Sequence, residues 1–465
     1  MLGLNSKEDV VLQPKQLNLF RLTWPIFMDA FFHIVLGNVD TVMLSHYSGQ
    51  AVAAVGISSQ IFGMFIIILE FMAMGSGILI AQMLGASRRE RAANIAQSSI
   101  YLNGLIGIVL IFILFFSAPF LFSLFNLSAE AYEFGVRYSQ IVSVSLLFEA
   151  ILICISTTMR NYGFAKEPMF VVVGMNVVNV TGNCIALFGF LGFPETGLTG
   201  VAISSCISRL LAMICIVYLY KRKLRLKLSL QGRHYIQDWK SIVKVGIPTA
   251  GESFSYQSSQ ILITYFVTFF GVIAITTKVI TYNIMLLIMI FSYSMGQATQ
   301  ILIGHLVGAR EHQKAHDQAI FSLKVSSLIS LLIALVCYFL SETVLGLFTS
   351  DRDIIETGKT LLALSILLEP GRAFNLVLSS SLKASGDIRF PTLLGLISMW
   401  GLCVPAAFIL GNVLGYGLAG VWLAFILDEW LRGLIFYFRW KKMGWVTKGL
   451  VKTEIRSSNE KEMSI

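Results

Sequence analysis

The stretch TWPIFMDAFFHIVLGNVDTVMLS, residues 23–45, decides how this sequence is interpreted. It is apolar and long enough to cross a hydrocarbon core of about 30 Å as one helix. It nevertheless contains two acids, Asp29 and Asp40. A carboxylate at membrane depth is costly, so such residues are usually functional or paired with a counter-charge. The stretch is therefore predicted to be a first transmembrane helix that carries a functional site.

The remainder of the chain has the composition of an integral membrane protein. Its 465 residues are 56% hydrophobic and only 13% charged, whereas an average soluble protein is roughly 25% charged. Loops rich in charge, Gly, Pro or Asn separate about twelve apolar runs, each of roughly twenty residues and sufficient for one span. We therefore predict an all-α integral membrane protein with twelve transmembrane helices.

Basic residues fall in alternate loops, in clusters around Arg88, Arg160, Lys221, Arg310 and Lys441. This positive-inside bias predicts that both termini lie in the cytoplasm. We expect the chain to reside in the cytoplasmic (plasma) membrane. It also accounts for the net charge of +9 without a nucleic-acid partner. The lipid bilayer is the expected environment.

The sequence repeats itself about halfway along. An offset of 223 residues pairs Pro25 with Pro248 and Asp29 with Glu252, and further matches are Gly85 with Gly308, Arg160 with Lys383 and Pro168 with Pro391. Each half holds an even number of spans, so both halves insert in the same orientation, as in parallel-repeat transporters with a central cavity. We predict two pseudo-symmetric six-helix bundles, 1–220 and 241–442, joined by a basic cytoplasmic linker, 221–240, and followed by a cytoplasmic tail, 443–465.

Several motifs resemble those of the multidrug and toxic compound extrusion (MATE) transporters. They are Pro25 followed by GNVDTVMLSHYS (37–48), IAQMLGA (80–86) with its repeat ILIGHLVGA (301–309), NVTGNCIALFG (179–189) and LKASGDIRFP (382–391). The resemblance implies twelve helices in two bundles and efflux of cationic amphipathic small molecules, driven by a proton or sodium gradient. It also implies a bend at Pro25 that is coupled to ion binding.

The resemblance further implies an ion-coupling site made of Asp40, Asn179, Asn183 and Ser205, which could hold a proton or sodium. One branch of the family has an aspartate and a threonine at the positions of Asn183 and Ser205. A second branch has acids at the positions of Tyr256 and Arg372, so its C-terminal cation site is not expected here.

Several acidic residues lie within the apolar runs. Asp40 has no basic residue on its own helix, and a membrane carboxylate without a fixed cation either holds a proton or recruits a metal ion. The repeat maps Asp40 onto Ile263, which restricts this site to one lobe. Asp29 and Glu252 follow matched prolines by one helical turn and either line the substrate cavity or form structural salt bridges, with Arg209 as a candidate partner of Asp29.

Glu252 has Arg372 and Arg432 as candidate partners within its own lobe. Glu70 on the second helix is a further candidate for the substrate cavity. Glu369 with Arg372, and Asp428 and Glu429 with Arg432, have the i,i+3 and i,i+4 spacings that place them on shared helix faces. We predict a charge network of these five residues in the C-terminal lobe and leave open whether it is structural, relays protons or contacts the substrate.

These observations predict a secondary active multidrug efflux transporter, an antiporter that works by alternating access. We expect it to be a monomer and to need no cofactor. The chain has no ATP-binding G-x-x-x-x-G-K-[ST] and no motif of a hydrolase, so it is not expected to be an enzyme. The alternative within transport is a flippase for a lipid-linked precursor, which would need several Arg or Lys residues in its cavity for a pyrophosphate. Outside transport, a channel or a membrane enzyme is the remaining alternative.

Overall fold

The computed structural model describes residues 17–125, 127–189, 195–224 and 235–451. Within these ranges the chain is helical and contains no strand. The helices of the first sequence half are α1 (Leu19–Tyr47), α2 (Gly49–Gly85), α3 (Arg89–Ser123), α4 (Ala129–Ser143), α5 (Ser145–Asn161), α6 (Lys166–Phe188) and α7 (Gly197–Leu224). Those of the second half are α8 (Tyr235–Thr268), α9 (Val272–Gly308), α10 (His312–Phe339), α11 (Ser341–Gly346), α12 (Arg352–Ala384), α13 (Arg389–Ser398), α14 (Val404–Phe408) and α15 (Gly417–Lys441).

Eight of the described helical segments are long and apolar enough to cross a membrane, and the pair α4–α5 makes a ninth. One of the eight is the continuous segment Arg389–Val413, in which one π-helical turn joins α13 to α14 and a second follows α14. Helices α1, α8 and α15 are also long enough for a bilayer, and they complete the predicted set of twelve.

The break between α4 and α5 bends the chain by 46°. The hydroxyl groups of Ser143 and Ser145, on either side of Val144, donate hydrogen bonds of 2.7 Å to the carbonyls of Gln140 and Val142. Such side-chain bonds to nearby carbonyls compete with the helical ladder and bend helices. The two half-helices therefore act as one kinked span.

The described chain divides into two compact units. The first contains Phe32–Ile80 and Ser87–Gly246, and the second contains Asn18–Phe31, Ala81–Ala86 and Ile247 onward. The beginning of α1 and the last turn of α2 thus belong to the second unit, although sequence order alone assigns both helices to the first lobe. The contacts explain this difference for α1, because Phe27 packs on Phe291 of α9 with ring centroids 5.9 Å apart.

Two glycines related by the repeat explain the placement of the end of α2. A Cβ atom on Gly85 would lie 1.9 Å from the carbonyl oxygen of His305, and one on Gly308 would lie 2.0 Å from that of Gln82. The backbones of α2 and α9 therefore approach so closely that only glycine fits at either position. The crossing lies entirely within the second unit.

The two predicted connecting segments are partly helical. Helix α7 continues to Leu224 and α8 begins at Tyr235, while residues 225–234 of the predicted linker lie outside the described ranges. After α15, a short 3₁₀ helix, Gly444–Lys448, packs against the second unit. Trp445 is fully buried and stacks on Trp440 at a centroid distance of 4.2 Å. Residues 452–465 of the predicted tail lie outside the described ranges.

Candidate functional site

The first unit encloses a cavity of about 440 Å³, which we term the first-unit cavity. Helices α1 to α7, except α5, contribute to its lining. The polar side chains that line it include those of His33, Asn176, Asn179, Asn183, Ser205 and Arg209. Its size is that of a small-molecule site, which typically occupies roughly 300–1,000 Å³.

Three of the four residues predicted for ion coupling meet in this cavity. The side-chain amide of Asn179 donates a hydrogen bond of 3.1 Å to the hydroxyl of Ser205. The amide of Asn183, one turn later on α6, donates to the Oδ1 atom of Asn179 over 3.4 Å. Asn179 and Ser205 lie on different helices, so the fold itself assembles the cluster. Its oxygen atoms are ligands of the kind that hard cations prefer.

The fourth predicted residue is Asp40. Its backbone lies within α1, but its side chain is outside the part of the chain that the structure describes. Pro25 lies inside the same helix and is buried in the second unit. A proline within a helix removes one backbone hydrogen bond, so α1 has a weak point one turn before Asp29.

Arg209 has an acidic partner in the first unit that was not among the candidates from the sequence. Its Nε atom lies 3.3 Å from the Glu149 carboxylate of α5, within the first unit. The guanidinium also stacks over the Phe62 ring, 4.8 Å from its centroid. Sequence reasoning missed this Arg209–Glu149 pair, and the pairing of Arg209 with Asp29 stays a prediction. Arg209 is the single Arg or Lys among the described residues of the cavity wall.

Glu252 also has a partner that was not among its candidates. The Nζ atom of Lys383 lies 2.8 Å from its carboxylate, and the hydroxyl of Thr392 donates to the same oxygen over 3.3 Å. The proposed pairings with Arg372 and Arg432 are not formed, because those arginines contact other acids. The repeat offered a signal for Lys383, since it pairs that residue with a basic residue, Arg160.

The remaining substrate-cavity candidates, Asp29 and Glu70, lie on α1 and α2. Asp29 is half-buried in α1, within the second unit, and Glu70 is exposed on α2, within the first. Both side chains take part in interactions with other residues. Their assignment to a substrate cavity remains a prediction.

The predicted charge network in the second unit is assembled as the spacing indicated. Arg372 contacts Glu369 at 2.7 Å and Glu429 at 3.7 Å, and Arg432 contacts Glu429 at 3.5 Å. Arg432 also donates a short hydrogen bond to Asp428. All five side chains are at least nine-tenths buried. The network therefore joins α12 to α15 inside the second unit.

Two further partners in the network come from outside the predicted set. Asn375 donates a hydrogen bond of 2.6 Å to Glu429, and the Ser398 hydroxyl donates a short one to Asp428. Ser398 immediately precedes the π-helical turn Met399–Cys403. Such turns insert an extra residue into a helix and often occur at functional sites. A small cavity of about 20 Å³, lined by Tyr256, lies beside the network and has room for one water molecule.

Lys278 on α9 was not singled out by sequence reasoning. It is 8% exposed, and its Nζ atom donates a hydrogen bond of 2.5 Å to the hydroxyl of Thr264. A buried lysine is rare without a partner of opposite charge. The sequence signal was weak because Lys278 is only six residues from the start of its helix, where a lysine is ordinarily solvated.

The described residues contain no cluster of three or more His, Cys, Asp or Glu side chains with the geometry of a metal site. The MatE family model matches residues 25–185 and 248–409, that is, both sequence halves. The chain belongs to the MATE family. The resemblance inferred from the motifs is thereby confirmed.

Individual relatives agree with this assignment. The chain is 39% identical over 438 residues to the uncharacterized transporter YisQ of Bacillus subtilis strain 168, covering 94% of this chain and 96% of that protein. It is 26% identical over 455 residues to the probable multidrug resistance protein NorM of Thermotoga maritima, covering 96% and 97%. As a MATE family member the chain is a multi-pass membrane transporter and not an enzyme.

Solved structures confirm the predicted fold of twelve helices in two bundles. An outward-facing multidrug resistance MATE transporter of the MOP superfamily superimposes with a TM-score of 0.83 at 20% identity, covering 91% of this chain and 95% of that one. A MOP superfamily transporter from Pyrococcus furiosus, described as having a binding pocket of reverse polarity, gives a TM-score of 0.82 with the same coverage. At this identity the similarity concerns the fold alone.

Proposed function

We propose that this MATE transporter exports cationic amphipathic small molecules from the cytoplasm by antiport with protons or sodium. The observation that carries the proposal is the hydrogen-bonded cluster of Asn179, Asn183 and Ser205 on the wall of the first-unit cavity. NorM of Thermotoga maritima and YoeA of Bacillus subtilis, both named as probable multidrug resistance proteins, are relatives that support small organic substrates.

Helix periodicity supports the inclusion of Asp40 in the coupling site. His33 and Leu44 of α1 both line the first-unit cavity. Position 40 follows position 33 by seven residues, close to two turns, and precedes Leu44 by four residues, close to one turn. The three positions thus share one face of α1. On this basis Asp40 would supply the carboxylate that the uncharged cluster lacks.

The donor set fits either coupling ion. Sodium would be held by the carboxylate of Asp40, the amide oxygens of Asn179 and Asn183 and the hydroxyl of Ser205, all of them hard oxygen ligands. A proton would be held by the Asp40 carboxylate alone, with the cluster donating hydrogen bonds to it. In either case the bound ion removes the negative charge of Asp40, which favours one conformation of the transporter over another.

Other acidic residues are proposed to act on the substrate and not on the coupling ion. Asp29, Glu70 and Glu252 are proposed to contact the cationic substrate, and a bend at Pro25 would change the shape of α1 as the coupling site loads and empties. We propose a location in the plasma membrane, and the distribution of basic residues supports an orientation with both termini in the cytoplasm. We propose that the transporter works as a monomer.

Dye efflux from proteoliposomes tests the proposal. A sodium gradient and a pH gradient are imposed separately, and export of a fluorescent organic cation is measured for the wild type, Asp40→Asn and Asp317→Asn. Asp317 is an exposed acid of α10, so its variant controls for the loss of one carboxylate. We expect one of the two gradients to drive export in the wild type and the control, and Asp40→Asn to abolish that response.

Export by Asp40→Asn with an unchanged gradient response would show that the coupling site lies elsewhere. Dye movement that only equilibrates across the membrane, whichever gradient is present, would contradict antiport and favour a channel. Selective transport of a pyrophosphate-linked lipid in the same vesicles would favour the flippase alternative, for which the single cavity arginine of the described wall offers little support.

A further inference from the structure

A second recess lies on the lipid-facing side of the first unit, between α6 and α7. This α6/α7 groove has a volume of about 440 Å³ and is lined by Glu167, Phe170, Gly174, Val178, Leu211 and Cys215, among others. Phe170 is 65% exposed and Leu211 is 47% exposed, so the groove opens away from the protein interior. Apart from Glu167 and Ser208, the residues along its walls are apolar, glycine or cysteine.

The groove exists because α6 and α7 diverge along their length. Near the end of α6, a Cβ atom on Gly182 would lie 2.2 Å from the Ser204 hydroxyl oxygen, so the helices touch there through small residues. Two turns earlier, a Cβ atom on Gly174 would have no neighbour within 4 Å. The close contact at one end and the missing side chain at the other leave an opening in the half of the helices nearest Lys166.

The groove and the first-unit cavity share part of one wall. Met175 and Ser208 line both spaces, and both are buried, with exposures of 7% and 2%. Asn176 and Arg209, their neighbours in sequence, line the cavity but not the groove. Met175 and Ser208 therefore form part of the wall between the groove and the cavity. Methionine has an unbranched, flexible side chain that adapts readily to different neighbours.

The chemistry of the groove matches a cationic amphiphile. Most of the residues that line it are apolar, and Glu167 lies at the end nearest the start of α6. Glu167 pairs with Lys223 at 3.5 Å, and the Lys223 side chain is 43% exposed. The Glu167 side chain is 21% exposed. A partly exposed ion pair at this distance contributes little stability, so a cationic head group can compete for the carboxylate. In the proposed orientation this end lies at the head groups of the inner leaflet.

We propose that the α6/α7 groove is a lateral entrance through which membrane-dissolved cationic amphiphiles reach the first-unit cavity, with Met175 and Ser208 as the gate. The inference rests on the proposed export of such compounds and adds the route of entry. A lipophilic cation is concentrated in the inner leaflet, whereas a hydrophilic one enters from water. The entrance should therefore matter only for the first kind of substrate.

Two fluorescent quaternary ammonium dyes with the same head group, one with a dodecyl and one with an ethyl chain, test the entrance in proteoliposomes. Gly174→Phe fills the groove from a position that does not line the cavity. Val177→Phe adds an aromatic ring to a lipid-exposed position of α6 outside the groove and serves as the control. Met175→Ala removes the larger part of the gate.

We expect Gly174→Phe to reduce the apparent kcat/KM for the dodecyl dye about tenfold or more, a barrier change that one bulky side chain can cause, and to leave the ethyl dye unchanged. Met175→Ala should raise the rate for the dodecyl dye, and Val177→Phe should resemble the wild type. If Gly174→Phe slows both dyes equally, the groove is not the route of entry. If it slows neither dye, the groove holds only lipid and the proposed entrance is also refuted. The proposed function fails separately, if the wild type exports neither dye against a gradient.

Discussion

The buried charge network of the second unit allows a prediction whose sign depends on a charge count. Three carboxylates, those of Glu369, Asp428 and Glu429, face two guanidinium groups, those of Arg372 and Arg432. One negative charge is therefore in surplus among these five residues. Moreover, the Oε2 atom of Glu369 is buried and accepts no hydrogen bond. Loss of an arginine and loss of Glu369 should consequently have very different effects.

Arg372→Met leaves Glu369 without the arginine that it contacts, and it weakens the charge compensation of Glu429, which lies 3.7 Å from the Arg372 Nε atom. Breaking a buried ion pair by removing one partner costs about 3–5 kcal/mol. Glu369→Gln instead retains an oxygen that accepts from Arg372 and balances the charges. Its cost should stay within about 1 kcal/mol, the net contribution of one hydrogen bond.

The assay is thermal unfolding of the purified protein in detergent, followed by near-ultraviolet circular dichroism. For a folding unit of this size each kcal/mol shifts Tm by roughly 2–4 °C, so Arg372→Met should lower it by about 10 °C. Glu369→Gln should change it little, and the double variant should recover part of the loss, because it reduces the surplus from two negative charges to the single one of the wild type. Arg352→Met, at an exposed position of α12, is the control. Equal losses for Glu369→Gln and Arg372→Met would refute the charge count.

Two other predictions concern packing and pairing in the second unit. Gly308→Ala should reduce the free energy of unfolding by about 1–3 kcal/mol, because its Cβ atom would overlap the Gln82 carbonyl at 2.0 Å. Gly251→Ala, with open space around its Cβ position in α8, should instead raise it by up to about 1 kcal/mol. Similar Tm values for the two variants would contradict the close crossing. Lys383→Met should destabilise the protein by about 1–3 kcal/mol, which is less than the loss from breaking a fully buried pair because the Glu252 side chain is 15% exposed. Adding Glu252→Gln should restore part of the loss. A further loss in the double variant would show that Glu252 has another essential partner.

The sequence was sufficient for features that depend on periodicity along one chain segment. Apolar run lengths predicted the twelve helices, and the 223-residue offset predicted two related halves. The network around Arg372 and Arg432 followed from spacings within α12 and within α15, because residues three and four apart share a helix face. The coupling cluster of Asn179 and Ser205 came from the family resemblance, and the fold brings these residues within hydrogen-bonding distance.

Partners on different helices were predicted less well. Glu149 for Arg209 and Lys383 for Glu252 were both missed, since such pairings depend on how each helix is rotated about its axis. The sequence also did not show that α1 and α2 are each divided between the two units. Close backbone crossings leave only scattered glycines as a signal in the sequence. The place of the Asp40 carboxylate in the coupling site stays a prediction.

The stacked pair Trp440 and Trp445 determines where foreign sequence can be attached to this transporter. The turn that carries Trp445 is fastened further by Lys448, 2.7 Å from the buried Asp387 carboxylate, and by the Leu450 amide, which donates to the Gln82 side chain over 2.9 Å. Shortening the chain to the end of α15 would remove all three attachments and expose an indole face. An affinity tag or fluorescent fusion therefore belongs beyond residue 451, and a junction near residue 442 would disturb the fold that it is meant to report.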